Sequence, residues 1–138
     1  MKTLLNLLRS ILAVVVGYLV MAALITLVQE VWFGGVGFYK SSLVVLMVAG
    51  FFTFLSAVAG GLVASLIAKS HGKIHALVMC LLIVVETIQL IVTGGSSDPL
   101  WFDILASGSL IIGIMLGAFL HERLRTNLDN RVLTTSAN

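Results

Sequence analysis

The placement of charge along this chain limits its fold more than any other feature. No Asp, Glu, Lys or Arg occurs between Ser10 and Gln29, between Ser41 and Ala68, or between Ile104 and Leu120, and the stretch from Ile74 to Thr93 holds only Glu86. About twenty apolar residues at ~1.5 Å rise each cross a hydrocarbon core of ~30 Å, so each stretch is long enough to span a bilayer as a helix. Backbone groups in lipid have no water to bond, and a helix satisfies them internally. Charged residues are 10% and hydrophobic residues 59% of the 138, with a mean hydropathy of +1.15, which excludes a water-soluble domain. The expected fold is all-α: a polytopic membrane protein, one four-span domain over residues 1–138.

The basic residues give an orientation. If the chain crosses four times, Lys2, Arg9, Lys69, Lys73, Arg123, Arg125 and Arg131 share one side and Lys40 lies on the other. That bias predicts an antiparallel four-helix bundle with both termini cytoplasmic. The net charge of +2 and pI near 9.0 come from residues scattered at segment ends, not from a basic patch, so no nucleic-acid partner is expected. The apolar run Ile11–Leu27 is longer than the core of a secretory signal and no A-x-A-like site follows it. The single cysteine, Cys80, excludes an intrachain disulfide and a C-x-x-C redox pair.

Helices are predicted at about 3–30, 41–68, 74–93 and 99–125, with 126–138 a disordered tail. The connection Val31–Lys40 carries Gly34, Gly35 and Gly37 among Trp32, Phe33, Phe38 and Tyr39, aromatic rings favoured at a membrane boundary, and is expected to lie along the outer interface. Asp98 followed by Pro99 has the form of an N-cap and first helical residue for the fourth helix.

Three groups of residues bear on function. Helix association in lipid relies on close packing of small residues. The second helix has two such ridges at spacing four, Ser56, Gly60, Ala64 with Ala68, and Ala57, Gly61, Ser65; the fourth has Ser109, Gly113 and Gly117. They serve packing within the chain or dimerisation, and two ridges on one helix suggest a surplus for a partner.

Glu86 is the second. A charged side chain at mid-membrane costs roughly 2.5–3.5 kcal/mol on insertion scales. No Lys or Arg lies at its depth, so it requires a hydrogen-bond partner such as Tyr18, Thr26 or Gln89. The row His75, Met79, Leu82, Glu86, Gln89, Thr93 follows steps of four and three, and is expected to face the bundle interior. Glu86 then fixes helix register, snorkels outward, or forms a proton- or cation-coupled site with Gln89 and Tyr18.

The histidines are the third. His71 and His75 are four apart, and His121 precedes Glu122 at the same side of the membrane. Interfacial placement is the plain reading; His71, His75 and His121 are weak metal candidates, and His75 with His121 has the form of a haem-bracketing pair. No cofactor is expected. Signatures of hydrolases, zinc proteases and P-loop enzymes are missing, and the chain reads as a non-enzyme.

The stretch AGGLVASLIAKSHGKIH (Ala59–His75), together with RSILAVVVGY (Arg9–Tyr18), resembles small bacterial four-helix integral membrane proteins of unknown function. The resemblance covers the whole layout of spans and implies a bacterial inner membrane, with no activity attached. Small multidrug exporters resemble the chain in size, but their membrane glutamate is in the first helix, where this chain has Gly17 and Tyr18 at depth. Small fluoride channels use a mid-helix asparagine, whereas Asn6 is at a boundary and Asn127, Asn130 and Asn138 are in the tail. The favoured reading is a structural or accessory component whose partners are the bilayer and a second copy or another membrane protein. The alternatives are a small proton-coupled transporter or channel using Glu86, and a haem- or metal-binding membrane protein.

Overall fold

A computed structural model describes the backbone of residues 2–68 and 72–136, with side-chain surroundings for 4–68 and 72–128. Lys69, Ser70 and His71 lie outside the described residues, as does the side chain of Arg131. The described chain is all-helical: α1 (Lys2–Thr26), α2 (Leu43–Ala68), α3 (Gly72–Thr93) and α4 (Leu100–Ser136), with a π-helical turn, Leu27–Trp32, continuing α1. Among the described residues four segments are long and apolar enough to cross a membrane, Leu4–Trp32, Leu43–Ala68, Gly72–Thr93 and Leu100–Leu128, which gives the chain the form of a multi-pass membrane protein.

The distribution of side chains agrees with lipid as the solvent. Ala13, Ala49, Ala57, Ala64 and Ala76 are fully buried, while Leu19, Met47, Leu77, Leu81 and Ile112 stay more than half exposed. A water-soluble bundle buries its large apolar residues; here small ones fill the interior, as close backbone packing in a bilayer requires. Interior hydroxyls bond their own helices: Ser56 and Ser65 donate to the carbonyls of Phe52 and Gly61 at 2.8 and 2.9 Å.

The second helix is the centre of the bundle, and its two ridges have separate neighbours. On one side, a Cβ added to Gly17 would stand 2.6 Å from the Ala64 Cβ, and one on Gly60 would stand 2.6 Å from the Met21 Cβ, so α1 lies against the Gly60–Ala64 ridge. On the other side, a Cβ on Gly61 would overlap the Ile114 carbonyl oxygen, one on Gly117 would overlap that of Val58, and one on Gly113 would stand 2.8 Å from the Ala57 Cβ, so α4 lies against the Ala57–Gly61 ridge. Both ridges are used within the chain, and the surplus suggested for a partner is not there. Ser109 is half-buried and donates to the Ala106 carbonyl at 2.8 Å.

The third helix buries His75, Ala76, Met79, Cys80 and Ile83, the last two of which lie within the same cluster as Ile114 and Ala118 of α4. After Ile83 the seal opens: apart from half-buried Thr87, residues 84–93 are exposed. The expected inward row therefore holds for His75 and Met79 and fails for Leu82, Glu86, Gln89 and Thr93. Ala76 and Cys80 let α3 approach closely, whereas Val84, Val85, Thr87 and Ile88 include no small residue to continue that approach.

Two further departures concern the ends. Asp98 does not cap α4. Its Oδ1 accepts the Phe38 N–H at 3.0 Å, joining the first connection to the last, while the Pro99 carbonyl starts the helix by accepting from Phe102 at 2.8 Å. Phe38 then packs edge-on against Trp101 and Tyr39, with ring centroids 5.1 and 5.2 Å apart. The fourth helix does not stop at Arg125 but continues to Ser136 through the segment expected to be disordered. No Gly or Pro occurs after Gly117 to end it, and Thr126 bonds the Glu122 carbonyl at 3.0 Å.

Candidate functional site

Glu86 lies two helical turns from the end of α3, about 10 Å before Thr93 at ~1.5 Å per residue. Residues 84–93 are exposed apart from half-buried Thr87, so the side chain is on an open face of the bundle. Of the three partners suggested by sequence, the structure selects Tyr18: its hydroxyl donates to Glu86 Oε1 across from α1. Tyr18 is half-buried against the core cluster that includes Met21 and Met79, so a packed aromatic body holds the donor in place. Gln89 is exposed one turn further on and does not line the cleft beside Glu86.

That cleft, about 330 Å³, lies between the C-terminal half of α3 and the N-terminal part of α4, with Glu86 and Thr87 on one wall and Asp103 and Ser107 on the other. Thr87 donates its proton to the Ile83 carbonyl at 2.7 Å and Ser107 to that of Asp103 at 2.8 Å. With those protons committed, the polar surface offered to the cleft is two carboxyl groups and two hydroxyl oxygens, with no Lys or Arg among the described residues of its lining. Such a lining suits a proton, a small cation or a donor-bearing side chain, and disfavours an anion. Asp103 is the member that sequence reasoning missed. The signal was available: Asp103 and Ser107 are four apart on one face of α4, one turn inside its start.

His75 and His121 are not brought together. His75 lines a groove between α1 and α3, whereas His121 lines a separate cavity of about 350 Å³ with Lys73, Glu122 and Arg125. Among the described residues no group of three His, Cys, Asp or Glu side chains has the spacing of a metal site. At the His121 end, Lys73 Nζ is 2.7 Å from Glu122 Oε2 and 4.8 Å from the centre of the Phe119 ring. Both partners of that ion pair are about half exposed, which makes it a boundary contact of little energetic weight.

One more polar contact joins α1 to its neighbour. Arg9 Nε donates to the Ile67 carbonyl at 2.7 Å, placing a cation at the C-terminal end of α2, where unpaired carbonyls and the helix dipole favour it. At the other end of α1, Gln29 in the π-helical turn donates to Thr53 at 3.3 Å. Comparison of the chain with protein-family models, with curated proteins and with solved structures finds no match.

Proposed function

We propose that this chain is an accessory component of a bacterial inner membrane, an antiparallel four-span bundle with both termini in the cytoplasm, which associates with another membrane protein through the outer half of α3. No catalytic role is assigned to it. Contacts running from Arg9–Ile67 to Gln29–Thr53 support the antiparallel pairing of α1 with α2, and the ion pair Lys73–Glu122 supports that of α3 with α4. The one-sided distribution of basic residues supports the orientation.

The observation that carries the function is the exposure of Glu86 on the membrane-embedded surface. Tyr18 supplies one hydrogen bond, but a carboxyl has room for several, and lipid tails offer none. A neighbouring helix that brings a donor to Glu86 would cover this open face and offset the cost of keeping an acid there. Both ridges of α2 being occupied internally, Glu86 is what marks α3 among the exposed apolar faces.

A second reading rests on the cleft shared by Glu86, Thr87, Asp103 and Ser107: a small proton-coupled transporter or channel. Purification in mild detergent from native membranes, paired with flux measurements in liposomes, separates the two. For an accessory protein, a membrane partner co-purifies with wild type and with E86Q, which keeps the shape and hydrogen-bonding capacity, but is lost from E86L. Proton-linked flux that E86Q abolishes, with no co-purifying partner, would overturn this reading in favour of the second.

A further inference from the structure

A groove of about 730 Å³ lies at the opposite end of the bundle from Asp103, between the first turns of α1 and the start of α3, with Ala68 of α2 at its base. Its polar residues on the α1 side, Asn6, Arg9 and Ser10, come from the first three turns of that helix, and the wall turns apolar deeper in, through Ile11, Val14 and Val15. Across from them stand Ile74, His75 and Val78 of α3. Ile11 and Ile74 are 56% exposed, so the groove opens sideways, toward the acyl chains of a surrounding bilayer.

Charge singles out the occupant. Among the described residues no Asp or Glu lines this groove, whereas in the neighbouring cavity Lys73 is already neutralised by Glu122. Arg9 is held in place by the Ile67 carbonyl, a bond that uses the Nε proton of a group with five donors. A guanidinium fixed at the membrane boundary above an apolar slot matches a molecule with an anionic oxygen cluster at one end and hydrocarbon at the other. Basic pockets of this kind between membrane helices bind lipid headgroups, and planar guanidinium is well shaped for phosphate oxygens. The volume falls within the ~300–1,000 Å³ of ordinary small-molecule sites, enough for a headgroup and the upper part of a chain.

We infer that the α1–α3 groove is a binding site for an anionic phospholipid, its phosphodiester on Arg9 with Asn6 and Ser10 alongside and its acyl chain against Val14, Val15 and Val78. The site is independent of the helix contact proposed at Glu86, and the two fail separately.

Native mass spectrometry of the full chain in mild detergent tests it, with phosphatidylglycerol, phosphatidylcholine of the same acyl chains, or inorganic phosphate added. One phosphatidylglycerol per chain is expected to be retained, at least tenfold more tightly than phosphatidylcholine, with no displacement by millimolar phosphate. R9Q is expected to weaken retention about tenfold, and R123Q, which removes equal charge from an exposed position outside the groove, to leave it unchanged. V15W keeps Arg9 and its bond to Ile67 but fills the slot, so it tests the site even if R9Q fails to fold; a tenfold loss is again expected. Equal retention of the two lipids, equal behaviour of R9Q and R123Q, retention unaffected by V15W, or displacement by free phosphate would each overturn the assignment.

Discussion

Replacing Gly117 by alanine puts a methyl group into the closest approach between α2 and α4. The new Cβ would overlap the Val58 carbonyl oxygen and stand 2.8 Å from the Leu62 nitrogen. Both are backbone atoms of a helix, so no rotamer change relieves the clash and the helices themselves have to separate. Ordinary contact begins near 3.4 Å, so the Leu62 nitrogen alone requires a separation of about 0.6 Å and the Val58 oxygen more, and overpacking of this kind costs ~1–3 kcal/mol. Alanine also raises helix propensity by ~0.5–1 kcal/mol, which G108A isolates, since a Cβ on Gly108 meets nothing within 4 Å. The difference between the two variants is therefore expected to be about 2 kcal/mol, with G108A the more stable. Reversible unfolding in mixed micelles, titrated with a denaturing detergent and followed by Trp101 fluorescence, measures it. G61A, on the opposite side of the same contact, is expected to match G117A. A G117A protein as stable as G108A would refute close backbone contact as the basis of the α2–α4 interface.

Y18F removes the donor to Glu86 while leaving the ring in the core; interhelical hydrogen bonds in membranes average ~0.6 kcal/mol and reach ~1.7, so a loss of about 1 kcal/mol is expected in the same titration, and E86Q should cost less. D98A frees the Phe38 N–H and releases the connection Val31–Lys40; proteolysis in that connection is expected to speed up severalfold with the spans still folded, and an unchanged rate would count against the tie. E122Q breaks the half-exposed pair with Lys73 and is expected to change stability by less than about 1 kcal/mol.

The four spans were legible because charge, Glu86 apart, is confined to their ends, a consequence of the solvent that holds for any bundle in lipid. The small-residue ridges were legible as close-contact faces, but spacing alone does not say which helix fills which ridge; that depends on Gly17 and Gly117, which lie far away in sequence. Glu86 was recognisable as the costly residue and Tyr18 as one of three partners, since few polar groups exist at that depth. The inward row on α3 misled because it assumed a helix packed along its whole length, and helical periodicity carries no information about where two helices part. Asp98 followed a local capping rule that a long-range bond to Phe38 overrides. The π-helical turn at Leu27–Trp32 had no sequence mark, and the extension of α4 beyond Arg125 was obscured by polarity, which ends a membrane span but does not end a helix.

The most direct measurement is photo-crosslinking in native membranes from single positions on the exposed face of the bundle. Probes at Val85 and Gln89, flanking Glu86, are compared with one at Ile112 on α4, which is 64% exposed. The expected result is a discrete adduct with another membrane protein from the two α3 positions, kept in E86Q and lost in E86L, and lipid adducts alone from Ile112. Lipid adducts alone from all three positions would contradict the proposed role of α3 as the face that meets a partner.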